Sequence, residues 1–174
     1  MIEALTLTDL LLRAGLALGM GLAIGWDRER NNKAAGLRTM SLVTVGSAGM
    51  MMAAIELAAA TPVEQQIDPL RVMQGVIGGI GFLGAGSIIQ SRGTIHGMTT
   101  AASIWTAAGL GIACGLGLFE LAGVLFGMIA IVLIVLTFLK GKLLPEHNQD
   151  DEEAAGAGTG PMRDKPGTGS NPAG

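Results

Sequence analysis

A chain of 174 residues is long enough for one domain and short for two. Only 14% of it is charged against 49% apolar, with 28 glycines and 3% aromatics, a balance that fits small-residue helix packing in lipid better than a soluble core. The formal net charge of −3 offers nothing to nucleic acid, and the single cysteine, Cys114, excludes an internal disulfide or a multi-cysteine metal site.

The N-terminal MIEALTLTD carries Glu3 and Asp9 where a cleavable signal would be basic, so the first apolar segment is expected to stay. Five apolar runs then succeed one another, at 6–26, 40–60, 72–89, 98–117 and 119–139. Each is near the ~20 residues a bilayer-spanning helix needs. The predicted fold is therefore an all-α integral membrane bundle of five transmembrane helices. Arg28, Arg30, Lys33 and Arg38 lie between the first two runs, Arg92 between the third and fourth, and Lys140 and Lys142 after the fifth, whereas Arg71 is the clear loop cation on the other side. The positive-inside rule places the former set and the C-terminus in the cytoplasm and the N-terminus outside. Residues 1–144 are read as the membrane domain. Residues 145–174, rich in Pro, Gly and acid and including the run Asp150–Glu153, are read as a disordered tail.

Within the third run, Gly79, Gly81 and Gly84 spell G-x-G-x-x-G. A dinucleotide site would need a strand before it and an acid about 20 residues on, yet no Asp or Glu occurs from Leu70 to Phe119. These glycines, together with Gly86, are read instead as helix-packing positions. Gly75/Gly79 form a G-x-x-x-G face, as do Gly15/Gly19, Gly21/Gly25, Gly111/Gly115 and Gly123/Gly127, with Gly49/Ala53 a weaker version. Such faces imply a tight bundle, a homo-oligomer or a docking surface for another membrane protein. Clustered glycines also leave open a break in the third span.

The densest charged segment is WDRERNNKAAGLRT, Trp26–Thr39. Glu29 and Lys33 stand at i,i+4 in the favourable order. Arg38 precedes the second span, where a helix N-terminus disfavours a cation, so it calls for Asp27, Glu29 or a lipid phosphate. The segment is either a topology-setting loop or a cytoplasmic-face site for a protein partner or an anionic ligand. Arg13, one turn inside the first span, is expected to snorkel and pair with Asp9, and Glu56 to reach water. Thr99, Ser103 and Thr106 share a face of the fourth helix beside Thr100, their hydroxyls bonding either their own backbone or a neighbouring helix. His96 and His147 have no metal-ligand spacing, and Glu64, Asp68 and Glu120 read as solvated acids. No nucleophile–base constellation appears, so neither an enzyme nor a cofactor is expected. An internal echo, Gly25-(ten residues)-Gly36 and Gly86-(ten residues)-Gly97, points to two parallel helix-pair repeats plus a fifth helix.

The ordered motifs GWDRERNNKAAGLRTMSLVTVGSA, GGIGFLGAGSII and GTIHGMTTAASIWTAAGLGIACGLG resemble the MgtC/SapB family of bacterial inner-membrane proteins over roughly residues 10–139. The resemblance implies a multi-helix plasma-membrane protein associated with growth in low magnesium and with virulence. In the MgtC branch it implies action on the membrane sector of the ATP synthase. By position, Arg28, Glu29, Lys33, Gly36, Leu37, Arg38 and Thr39 match the first motif. Gly81–Gly86 match the second, and Gly97, Thr100, Ala101 and Ala102 the third. The family commonly has Glu at Asp27 and Arg at His96, and the virulence-associated branch has Asn at Thr99. Two functions are expected in turn: a non-enzymatic modulator of another integral membrane protein, or a small oligomeric cation channel lined by Thr99, Ser103 and broken backbone in the third span.

Overall fold

The structure is a computed structural model that describes residues 5–62, 68–91 and 94–143. Glu64, Arg92, His147 and the 145–174 tail with its acidic run lie outside the described residues. Five helices form where the five runs were predicted: α1 (Leu7–Arg30), α2 (Leu37–Ala60), α3 (Pro69–Gly86), α4 (Met98–Leu116) and α5 (Phe119–Leu143). The fold is not purely helical. Between α3 and α4 a short antiparallel hairpin of β1 (Ile89–Ser91) and β2 (Thr94–His96) pairs Gln90 with Ile95. By length and composition α1, α2 and α4 can cross a membrane. Residues up to Leu136 form one compact unit, which holds the helix bundle, and a second begins at Thr137.

Local chemistry sets the helix ends. Thr6 and Asp9 form a capping box: Asp9 N–H donates to Thr6 Oγ1 at 3.2 Å, and Thr6 N–H to Asp9 Oδ2 at 3.1 Å. α1 runs past Trp26 and closes in a Schellman motif, with Asn32 left-handed at φ 51° and Lys33 N–H donating to Arg28 O at 3.0 Å. Asp68 caps α3 by accepting from Leu70 N–H at 2.9 Å, with Pro69 in the first turn. Gly117, at φ 77°, closes α4 in the same manner as Asn32 closes α1.

Packing separates the glycine faces into two kinds. α2 lies between α1 and α4, and the contacts are backbone to backbone. A Cβ on Gly25 would sit 2.6 Å from Leu37 Cα, one on Gly21 2.9 Å from Ser41 Cα, one on Gly111 2.8 Å from Ser47 Cβ, and one on Gly115 2.6 Å from Ala48 O. These four glycines hold the bundle together. At Gly15, Gly19, Gly49, Gly75, Gly79, Gly81, Gly86, Gly123 and Gly127 a Cβ would meet nothing within 4 Å, and at Gly84 it would make ordinary contact with Ala101. Of the alternatives left open for Gly75/Gly79, close packing within this chain is not met: among the described residues that face is open. α3 is also unbroken from Pro69 to Gly86.

The internal echo survives in part. Gly36 and Gly97 both cap a helix start, and Gly86 ends α3, but Gly25 lies inside α1, one turn short of its end. The core is built of small and flexible side chains, with Ala17, Ala48, Ala107, Cys114 and Ala122 fully buried beside Met40, Met51 and Leu110. Leu11, Leu18, Leu42, Phe82, Val124 and Ile131 are exposed on the outside. Such a surface suits lipid, since water-soluble monomers rarely expose apolar patches of this extent.

Candidate functional site

The site grows from one face of α1. Gly21, Ile24, Gly25 and Arg28 are all buried, spaced at i, i+3, i+4 and i+7, so a single stripe faces the bundle. Because Gly21 and Gly25 bring α1 against α2, the next residue on that stripe is carried inward with them. That residue is Arg28, 1% exposed. The expectation that Arg28 is a loop cation is thereby corrected.

All three nitrogens of the Arg28 guanidinium are engaged. Nε donates to Ala35 O at 3.0 Å, Nη1 to Ser103 Oγ at 2.9 Å and Nη2 to Thr100 Oγ1 at 2.7 Å. The three acceptors are neutral, and they come from the α1–α2 turn and from the first turns of α4. Ser103 also donates its own hydroxyl to Thr99 O at 2.8 Å, so it relays between Arg28 and its own helix. Both alternatives foreseen for these hydroxyls thus occur together. Thr100 and Ser103 are buried, and Arg28 is the only charged residue among the buried ones described. A cation held by hydroxyl and carbonyl dipoles is costly to desolvate and sensitive to the loss of any partner.

Around this centre the other predicted residues take separate roles. Glu29 does not pair with Lys33: its Oε2 accepts from Leu37 N–H at 3.0 Å and thereby caps α2, whose N-cap Gly36 has no side chain to do so. Asp27 is half-buried and accepts from Asn31 Nδ2 at 3.2 Å. Lys33, Arg38, Thr39 and Thr99 are exposed. Arg38 takes neither of the carboxylates foreseen for it, since both are engaged elsewhere. Thr99 and Ser103 border a recess of about 250 Å³ against Met128 and Val132 of α5.

At the opposite end two further corrections apply. Arg13 does not pair with Asp9; its Nη1 donates to Gly115 O at 2.7 Å, at the C-terminus of α4, where the helix dipole favours a cation. Glu56 is half-buried and accepts from Leu5 N–H, fastening the N-terminal segment to α2. Sequence reasoning missed the burial of Arg28, although the stripe Gly21–Ile24–Gly25–Arg28 was the signal that marks it.

The MgtC family model matches residues 15–142 and so covers every residue of this site. The chain is 41% identical to the protein SapB of Bacillus subtilis over 99 residues, 55% of this chain and 43% of that protein. It is 39% identical to SrpB of Synechococcus elongatus over 97 residues, 51% and 53% of the two chains. It is 37% identical to YhiD of Escherichia coli K12, provisionally named a magnesium transporter, over 130 residues, 74% and 58%. The matched stretch spans about half the length of these relatives. No solved structure matches.

Proposed function

The chain belongs to the MgtC family, and on that premise we propose that it is a non-enzymatic, multi-pass protein of the bacterial inner membrane, oriented N-terminus out. It serves adaptation to low magnesium by modulating another integral membrane complex. Support for the membrane setting comes from α1, α2 and α4, each long and apolar enough to span, and from the exposed leucines outside them. The magnesium link rests on the names MgtC and YhiD among the relatives. The partner implied by the family resemblance is the membrane sector of the ATP synthase.

The observation that carries the choice of modulator over carrier is Arg28. Proton and cation carriers hold a carboxylate or histidine within the bundle, whereas here the buried charge is a cation. It engages Thr100 and Ser103, the second of which is one of the two hydroxyls foreseen for a channel. Continuous backbone through α3 also withholds the carbonyls such a path would use. Docking then falls to the open faces of α3 and α5, and no longer to Gly115, which is spent inside the bundle.

The test is the ATP hydrolysis rate of the synthase in inverted membrane vesicles with and without the protein. A lower rate is expected. A higher rate means relief of proton back-pressure and returns the channel to first place, and an unchanged rate detaches the protein from the synthase.

A further inference from the structure

A groove of about 630 Å³ runs between α2 and α3, with Gly46 on one wall and Gly75 and Gly79 on the other. Among the described residues no side chain fills it at the glycines, since a Cβ on any of the three would meet nothing within 4 Å. On α2 the wall is made of two i,i+4 rows, Leu42, Gly46 and Met50 beside Val43 and Ser47. One turn before Leu42 the first of these rows begins with Arg38. At this end a second cavity, of about 360 Å³, shares Val43 and Leu83 with the groove and is also lined by Thr39 and Thr100. Both cavities are mainly apolar, and Arg38, one turn from Leu42, lies next to them without lining either.

We propose that this groove binds one anionic phospholipid, an acyl chain lying along Gly46 and Gly79 and the phosphate at Arg38 and Thr39. The proposal rests on the membrane reading above. Charge, length and shape each support it. Arg38 is exposed at a helix start, where the dipole is positive, and it makes no hydrogen bond among the described residues. A phosphate there gives the guanidinium an anionic partner, while the start of α2 keeps its Glu29 cap. From Arg38 to Met50 the row rises about 18 Å, close to the ~15 Å of one leaflet. A lipid seated with its head at Arg38 therefore ends where the groove does.

The experiment reconstitutes the full chain in phosphatidylcholine vesicles containing a minor fraction of phosphatidylglycerol, releases it in mild detergent and counts retained lipids by native mass spectrometry. One phosphatidylglycerol per chain is expected. Gly46→Leu and Gly79→Leu fill open space and so keep the fold, and each is expected to lose the lipid. Arg38→Gln is expected to keep a lipid but lose the preference for the anionic head by about tenfold, with Arg38→Lys restoring part of it. Undiminished retention in both leucine variants overturns the site, as does equal retention of the two lipids by the unaltered chain. Dimers with an empty groove overturn it in favour of a second copy. A chain that enters the vesicles but retains nothing sinks this proposal alone, whereas one that does not enter them sinks the membrane reading as well.

Discussion

Thr100→Val isolates one arm of the Arg28 cluster. Valine keeps the shape of threonine and its β-branch, so packing at this buried position is preserved. What disappears is the acceptor 2.7 Å from Nη2, leaving one guanidinium N–H in a buried site without a partner. A hydrogen bond to a charged group contributes about 1.5–3 kcal/mol. For a chain of this length each kcal/mol is worth about 2–4 °C in Tm, so the midpoint should fall by roughly 6 °C. The same change made in an Arg28→Met background has nothing left to orphan and should cost under about 0.5 kcal/mol. Arg28→Met alone should be mild, because the desolvation cost of the cation vanishes with its bonds. Thermal unfolding in detergent, followed by the fluorescence of the two tryptophans, Trp26 and Trp105, reads all four corners of this cycle. Equal losses from Thr100→Val in both backgrounds would refute the idea that Thr100 is there for the guanidinium.

Other consequences can be checked on the same preparation. Gly111→Ala, which would press on Ser47 and the carbonyl of Thr44, should destabilise by about 1–3 kcal/mol. Gly79→Ala, with open space around it, should be neutral or stabilising by about 0.5–1 kcal/mol; matched losses at the two sites would deny that one motif serves two purposes here. Arg13→Met should cost about 1–2 kcal/mol through the lost bond to Gly115 O, and an unchanged midpoint would dismiss that contact. Glu29→Ala should lower stability by about 1 kcal/mol through the uncapped start of α2, while Lys33→Ala should change little; the reverse order would favour the i,i+4 pair.

The helices were legible because each apolar run is long, and lipid-scale hydrophobicity is a strong signal over about 20 residues. Their ends were less so. Charged residues 27–30 look like loop, yet they continue α1, since helix geometry persists until Asn32 turns left-handed. The start of α3 could have been read from Asp68-Pro69, a cap followed by a proline in the first turn. The candidate residues Arg28, Thr100 and Ser103 were named from sequence, but not as partners. Which of several G-x-x-x-G faces is used depends on which helix lies opposite, and no spacing along one helix contains that information. Charge alone places Arg28 in water, whereas periodicity turns it inward. On the Gly21–Gly25 stripe the close helix contact decides the direction of the side chain, and charge must then be accommodated by what it meets.

The position of α2 between two glycine-bearing neighbours bears on the order in which the molecule can be made. As the chain emerges, α1 and α2 can pair through Gly21 and Gly25 at once, and Arg28 then finds the carbonyl of Ala35. Its other two acceptors, Thr100 and Ser103, are more than 70 residues away in sequence and arrive with α4. Until then Arg28 lacks two of its three hydrogen-bond acceptors and the Thr44–Ala48 face lacks its cover. Docking of α4 through Gly111 and Gly115 covers that face and supplies both hydroxyls in one step. The full set of Arg28 hydrogen bonds therefore requires α4 as well as α1 and the α1–α2 turn.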